Sequence, residues 1–186
     1  MNWFANLKTA QKLTLGFGLC LLLSLTVGSV ALTQMARMNH VSAEIAAGPL
    51  PGIGGVAALT SDIKEFRLLE FRHMLASDPR DMDQYEQQMT LQLAQINTDF
   101  DTYKKQVKDP QDRCNFNELK GDWALLLDDH QERMETSRRR DFQADSAAMK
   151  SSVDSFKAAN DVLSRMAAYH QKNGVRLTQD SALTYT

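Results

Sequence analysis

The chain of 186 residues carries a formal net charge of −2, from 21 basic and 23 acidic side chains, so no global basic field invites nucleic acid. Its two cysteines, Cys20 in an apolar run and Cys114 far along the chain, supply no disulfide framework. Only 9 glycines and 4 prolines interrupt long stretches rich in Ala, Leu, Met, Gln, Glu, Lys and Arg, a composition that favours an all-α protein.

From Leu13 to Thr33 the sequence is apolar or weakly polar, and no charged side chain occurs between Lys12 and Arg37. About 20 residues of helix cross a bilayer core, and a soluble core helix of that length would show a polar stripe that this segment lacks. Lys8 and Lys12 flank the short N-terminal side, which the positive-inside bias keeps in the cytoplasm while the remainder is exported. Ser29-Val30-Ala31 has the small-x-small pattern of a signal cleavage site. The apolar run outlasts the usual signal, however, and helix-forming composition continues to Ala47, so an uncleaved anchor is expected. The organisation read from this is a cytoplasmic segment 1–12, a transmembrane helix 13–34 and a periplasmic domain 35–186.

Gly48-Pro49-Leu50-Pro51-Gly52-Ile53-Gly54-Gly55 is expected to break the helix as a kink or short loop, because proline removes donors and glycine adds backbone freedom. Beyond it, Val56, Leu59, Ile63 and Phe66 form an apolar stripe. Ser77-Asp78-Pro79 and Lys108-Asp109-Pro110 each end one helix and open the next, since Asp caps unpaired amides and Pro is tolerated at the first helical position. Asp81 and Asp112 then suit the positive end of each helix dipole.

Three further stripes step by three and four. They are Tyr85, Met89, Leu93, Ile96, Phe100, Tyr103 and Val107; then Phe116, Leu119, Trp123, Leu126, His130 and Met134; then Met149, Val153, Phe156, Asn160, Leu163 and Ala167. Four stripes with short connections predict an antiparallel up-down four-helix bundle following the N-terminal transmembrane helix. Asn160 interrupts the last stripe, where a polar residue usually sets register. Arg138-Arg139-Arg140 suits the negative C-terminal end of its helix.

At 1.5 Å per residue, Arg67, Thr90, His130 and Asp154 share a layer about ten residues below the distal end, with Arg72, His73, Arg133 and Ser151 nearer the tip. A helical wheel puts Glu70 in the core stripe, where an apolar residue was expected, and a carboxylate there needs a donor. His130 is equally core-like on the third bundle helix, so a Glu70–His130 contact is predicted. The histidines have no metal-ligand spacing, and no haem-attachment pattern, nucleophile triad or phosphate loop occurs, so no metal, cofactor or enzyme activity is expected.

The Lys12-Leu13-Thr14-Leu15-Gly16-Phe17-Gly18 opening resembles the N-terminus of bacterial methyl-accepting chemotaxis proteins. Pro49-Leu50-Pro51 followed by Ile63-Lys64-Glu65-Phe66-Arg67-Leu68-Leu69-Glu70 is similar to the first helix of their periplasmic sensory bundle. Phe116-Asn117-Glu118-Leu119 with Trp123 and Leu127 is similar to the third.

The resemblance implies an inner-membrane chemoreceptor module that is homodimeric and binds a small solute. It signals through its fourth helix to a cytoplasmic part that this chain, ending at Thr186, does not contain. The chain is then a fragment of a longer receptor or a truncated product.

The resemblance also implies a dimer-interface pocket in which arginines meet the carboxylates of amino or organic acids, and Arg67 and Arg72 best match that placement. Both also fit as solvated charges paired with Glu70 or Asp62. Ser151, Ser152 and Asp154 are further ligand candidates that equally suit ordinary polar surface. Alternative readings are the input domain of a membrane histidine kinase or nucleotide cyclase, or a secreted helical-bundle binding or scaffold protein.

Overall fold

A computed structural model describes residues 8–140 and 142–183, which form five helices and no strand. Helix α1 spans Thr9–Ala47, α2 Pro49–Leu75, α3 Pro79–Gln106, α4 Pro110–Arg139 and α5 Phe142–Leu183. Connections of two or three residues fold α2 to α5 back and forth as an antiparallel four-helix bundle. Helix α2 packs on α3 and α5, α4 packs on α5, and α1 touches α2 and α5.

Both Asp-Pro pairs act as the sequence predicts. The Asp78 side chain accepts from the Arg80 amide at 2.9 Å, and Asp109 accepts from the Gln111 amide at 2.7 Å, with proline opening the helix in each case. Between the caps, Leu59, Ile63 and Phe66 of α2 meet Met89, Ile96 and Phe100 of α3. Leu119, Trp123 and Leu126 of α4 and Val162, Leu163 and Met166 of α5 close the core. Phe66 stands edge-on to Trp123 with ring centroids 5.5 Å apart, a favoured aromatic geometry.

Helix α1 differs in kind from the others. No residue of it is buried, and Leu21, Leu22, Leu25 and Val27 are each at least 63 % exposed. Among the described residues it supplies the one helix long and apolar enough to cross a membrane, with none of its apolar window covered.

Two expectations are refined. Of the kink or short loop expected over Gly48–Gly55, the structure has the kink: Gly48 alone leaves helical geometry, at φ −126° and ψ −85°, and α2 begins at Pro49. Pro49 and Pro51 lie in its first turn, where missing amide donors cost little. The α5 stripe holds only in part. Leu163 is buried and Phe156 packs on the core, but Val153 is 51 % exposed and Ala167 is exposed, whereas Ser152, Ala159, Val162, Met166 and His170 are buried. Asn160 is half-buried beside that stripe. An apolar count overlooks a face built partly from Ser, Ala and His. The side chain of Met149 lies outside the described residues.

Two glycines of α2 serve close packing. A Cβ on Gly52 would stand 2.3 Å from Cε1 of His170, and one on Gly55 would stand 2.7 Å from the Tyr103 ring. Gly54 faces open space. Gly52→Ala is therefore expected to lower the unfolding free energy by about 1–3 kcal/mol through overpacking. Gly54→Ala should raise it by about 0.5–1 kcal/mol through helix propensity. Urea unfolding followed by circular dichroism checks both, and equal effects would contradict the packing.

Candidate functional site

The distal part of the bundle is organised around one carboxylate. Glu70 of α2 is 0 % exposed. Its Oε2 accepts from Arg67 Nη1 at 2.8 Å, and its Oε1 from His130 Nδ1 at 2.7 Å and from Arg133 Nη2. The helix itself delivers Arg67, three residues earlier on the same face. The second arm of Arg67 donates to the Ser152 hydroxyl of α5 at 2.6 Å, and its guanidinium lies 4.6 Å from the Phe71 ring centroid. Residues from α2 and α4 thus meet at a single ionised group, and α5 joins them through Arg67.

Burial alone would raise the Glu70 carboxyl. The hydrogen bond from His130, the charge of Arg133 and the hydrogen bonds from both arginines outweigh it, holding the group below its ordinary value of 4.5. Because the carboxylate only accepts, His130 carries its proton on Nδ1. Arg133 is itself fully buried, and burial pulls its affinity for a proton down against the opposing pull of Glu70. Its Nε and Nη1 have no hydrogen-bond partner among the described residues.

The predicted Glu70–His130 contact is present, with Arg67 in the same cluster. Arg67 is not a solvated charge: it is 4 % exposed, and its local pairing with Glu70 takes place inside the core. Arg72 lies apart, 46 % exposed on the outward side of α2 and 3.8 Å from Glu65. Asp154 is exposed, and the Ser151 side chain lies outside the described residues. The polar members that the wheel did not select are Arg133 and Ser152. Ser152 is one of the α5 ligand candidates read from the sequence, and the buried stripe of α5, one residue from the expected face, places it in the core beside Arg67.

A second buried cluster stands at the opposite end. The Tyr103 hydroxyl donates to Asp112 Oδ1 at 2.7 Å and lies 2.6 Å from His170 Nε2. Asp112 therefore does more than favour the dipole: burial and this carboxylate together push the Tyr103 hydroxyl well above its ordinary range. The tip residues follow other paths. Arg138 forks onto Glu86 and Asp83 of α3, and the Arg140 side chain donates to the Ser77 carbonyl rather than to its own helix end.

An apolar helix of membrane-spanning length thus leads into a four-helix bundle whose core holds an ionic cluster, the architecture of a helical sensory module. The chain belongs to the family described as four helix bundle sensory module for signal transduction, which matches residues 6–185. It is similar to "Putative sensory transducer protein YvaQ" of Bacillus subtilis (strain 168), at 20 % identity over 180 residues. That alignment covers 97 % of this chain and 32 % of the relative, so the chain spans about a third of the relative's length.

One carboxyl pair gives a pH test of the bundle. Burial and the neighbouring Asp62 carboxylate raise Asp99 to about 6. The folded value lies above the unfolded one, so this group's contribution is fully present below about 4 and is lost as pH rises through about 6. Asp99→Asn should remove that loss, making the variant more stable than wild type at pH 8 and nearly equal to it at pH 4. Thermal melts across that range measure the difference, and parallel profiles would contradict the assignment.

Proposed function

We propose that this chain is the sensory part of a transmembrane chemoreceptor. In this reading α1 is anchored in the inner membrane and the bundle stands in the periplasm as a homodimer. It binds a small solute and passes a displacement of α5 to a cytoplasmic signalling part. The family and the uncovered apolar α1 support the membrane and sensory elements.

The observation that carries the dimer is a stripe on the outward side of α2. Leu50, Ile53, Ala57, Ser61, Lys64, Leu68, Arg72 and Leu75 recur at steps of three or four, and all are exposed. Leu50 is 60 % exposed and Leu75 83 %. Its apolar members Leu50, Ile53, Ala57, Leu68 and Leu75 are interspersed with Ser61, Lys64 and Arg72, a mixed stripe that suits a second copy of the same helix. With Arg67 committed to the core, Arg72 is the arginine of this helix left to meet a carboxylate, and its guanidinium matches such a group bidentately.

A Leu68→Cys variant in a Cys20→Ser, Cys114→Ser background should form a disulfide-linked dimer under mild oxidation in membranes. Leu125→Cys, on an exposed part of α4, should not. Calorimetry of the full chain in lipid nanodiscs against amino and organic acids tests the ligand class. A bound acid should weaken by about tenfold in Arg72→Ala, the loss of one charge-assisted pair. Undiminished binding would remove Arg72 from the site.

A further inference from the structure

Between α3 and α4, near the distal end, runs a groove of about 370 Å³, within the size range of small-molecule sites. Met89 and Leu93 of α3 and Met134 of α4 give it an apolar lining. Its polar lining comes from Thr90, His130 and Glu135, with Glu86 and Arg138 also contributing. The bonds these groups already make determine what they can still offer.

The guanidinium of Arg138 is occupied by Glu86, at 2.7 and 2.6 Å, and by Asp83 at 2.7 Å. The Thr90 hydroxyl gives its proton to the Glu86 carbonyl at 2.9 Å, leaving oxygen lone pairs. In the neutral imidazole, His130 spends its Nδ1 proton on Glu70 and leaves Nε2 as an acceptor. Glu135 is exposed and has no partner among the described residues. Glu86 is already paired with Arg138 and with His73 of α2, which leaves Glu135 as the unpaired carboxylate of the lining. The groove therefore presents acceptors and negative charge above an apolar lining, a setting that disfavours an anion and suits a cationic donor.

We propose that this groove binds a small primary amine with an apolar body. Its ammonium donates to the Glu135 carboxylate, Thr90 Oγ1 and His130 Nε2, while its hydrocarbon lies on Met89, Leu93 and Met134. The same imidazole holds Glu70 by its other nitrogen, so the occupant sits one side chain away from the cluster joining α2, α4 and α5. This site is separate from the acid-binding reading of Arg72, which lines no part of the groove.

The test is calorimetry of the full chain in lipid nanodiscs, with empty discs as the blank. The probes are pentylamine, 1-pentanol and pentanoate, matched in body and different in head group. Pentylamine should bind saturably, with the alcohol and the acid weaker by about tenfold or more. Glu135→Gln, an exposed position, should weaken the amine by about tenfold with an unchanged melting temperature, and Arg72→Ala should leave it unaffected. Absence of saturable binding above the blank, equal binding of the three probes, or full affinity in Glu135→Gln would each overturn the proposal. None of these results bears on the α2 dimer seam, which cysteine cross-linking tests by itself.

Discussion

The Glu70 carboxylate, enclosed on every side, dictates how three helices meet. An ion in that position would be strongly destabilising without partners, and its surroundings supply them from separate directions. Arg67 comes from its own helix, and His130 and Arg133 from across the core. Arg67 then continues to Ser152 on α5. Apolar heptads are tolerant of slippage, because one leucine layer resembles the next. A buried carboxylate with directional donors admits a single axial alignment of α2, α4 and α5. On this account its role is chiefly to specify register, since apolar residues of like volume could pack there with comparable stability.

The other end of the bundle solves a related problem by close approach. His170 of α5 rests against Gly52, where any side chain would collide with its ring. It shares the Tyr103 hydroxyl with Asp112 at the start of α4. Between the two clusters lies an apolar and aromatic core that carries most of the burial. Helix α5 is thus held by Ser152 to Arg67 of α2 and by His170 to Tyr103 of α3, with Ser155 and Arg165 bonded to Asp129 and Glu118 of α4 between them, and any axial shift of α5 must break or carry these contacts. That requirement ties the chemistry of the core to the helix that the proposed signalling role sets in motion.

Much of this was legible in the residues, for reasons that can be named. Asp78-Pro79 and Asp109-Pro110 marked helix starts because capping is local chemistry. The stripes of α2, α3 and α4 were visible because large apolar residues recur on one face. Glu70 stood out because a carboxylate in an apolar stripe demands a partner, and counting heights pointed to His130. The α5 face was hidden because Ser152, Ala159 and His170 are small or polar and do not register as core. Arg133 was placed near the tip, but nothing in a single sequence announces that an arginine will be fully enclosed. The glycines between Gly48 and Gly55 read as helix breakers until the rings of His170 and Tyr103 explained two of them by tertiary contact.

The most direct test of the Glu70 account is a double-mutant cycle between Glu70→Gln and Arg133→Met, read by urea unfolding of the full chain. Glu70→Gln strands the buried Arg67 and Arg133 charges and should cost about 3–5 kcal/mol, whereas Arg133→Met leaves Glu70 with Arg67 and His130 and should cost less. The double variant strands fewer charges, so it should fall short of the sum of the singles by about 1–3 kcal/mol. Additivity within about 0.5 kcal/mol would mean that the two residues do not act on one another, and that Glu70 does not fix the meeting of α2 and α4.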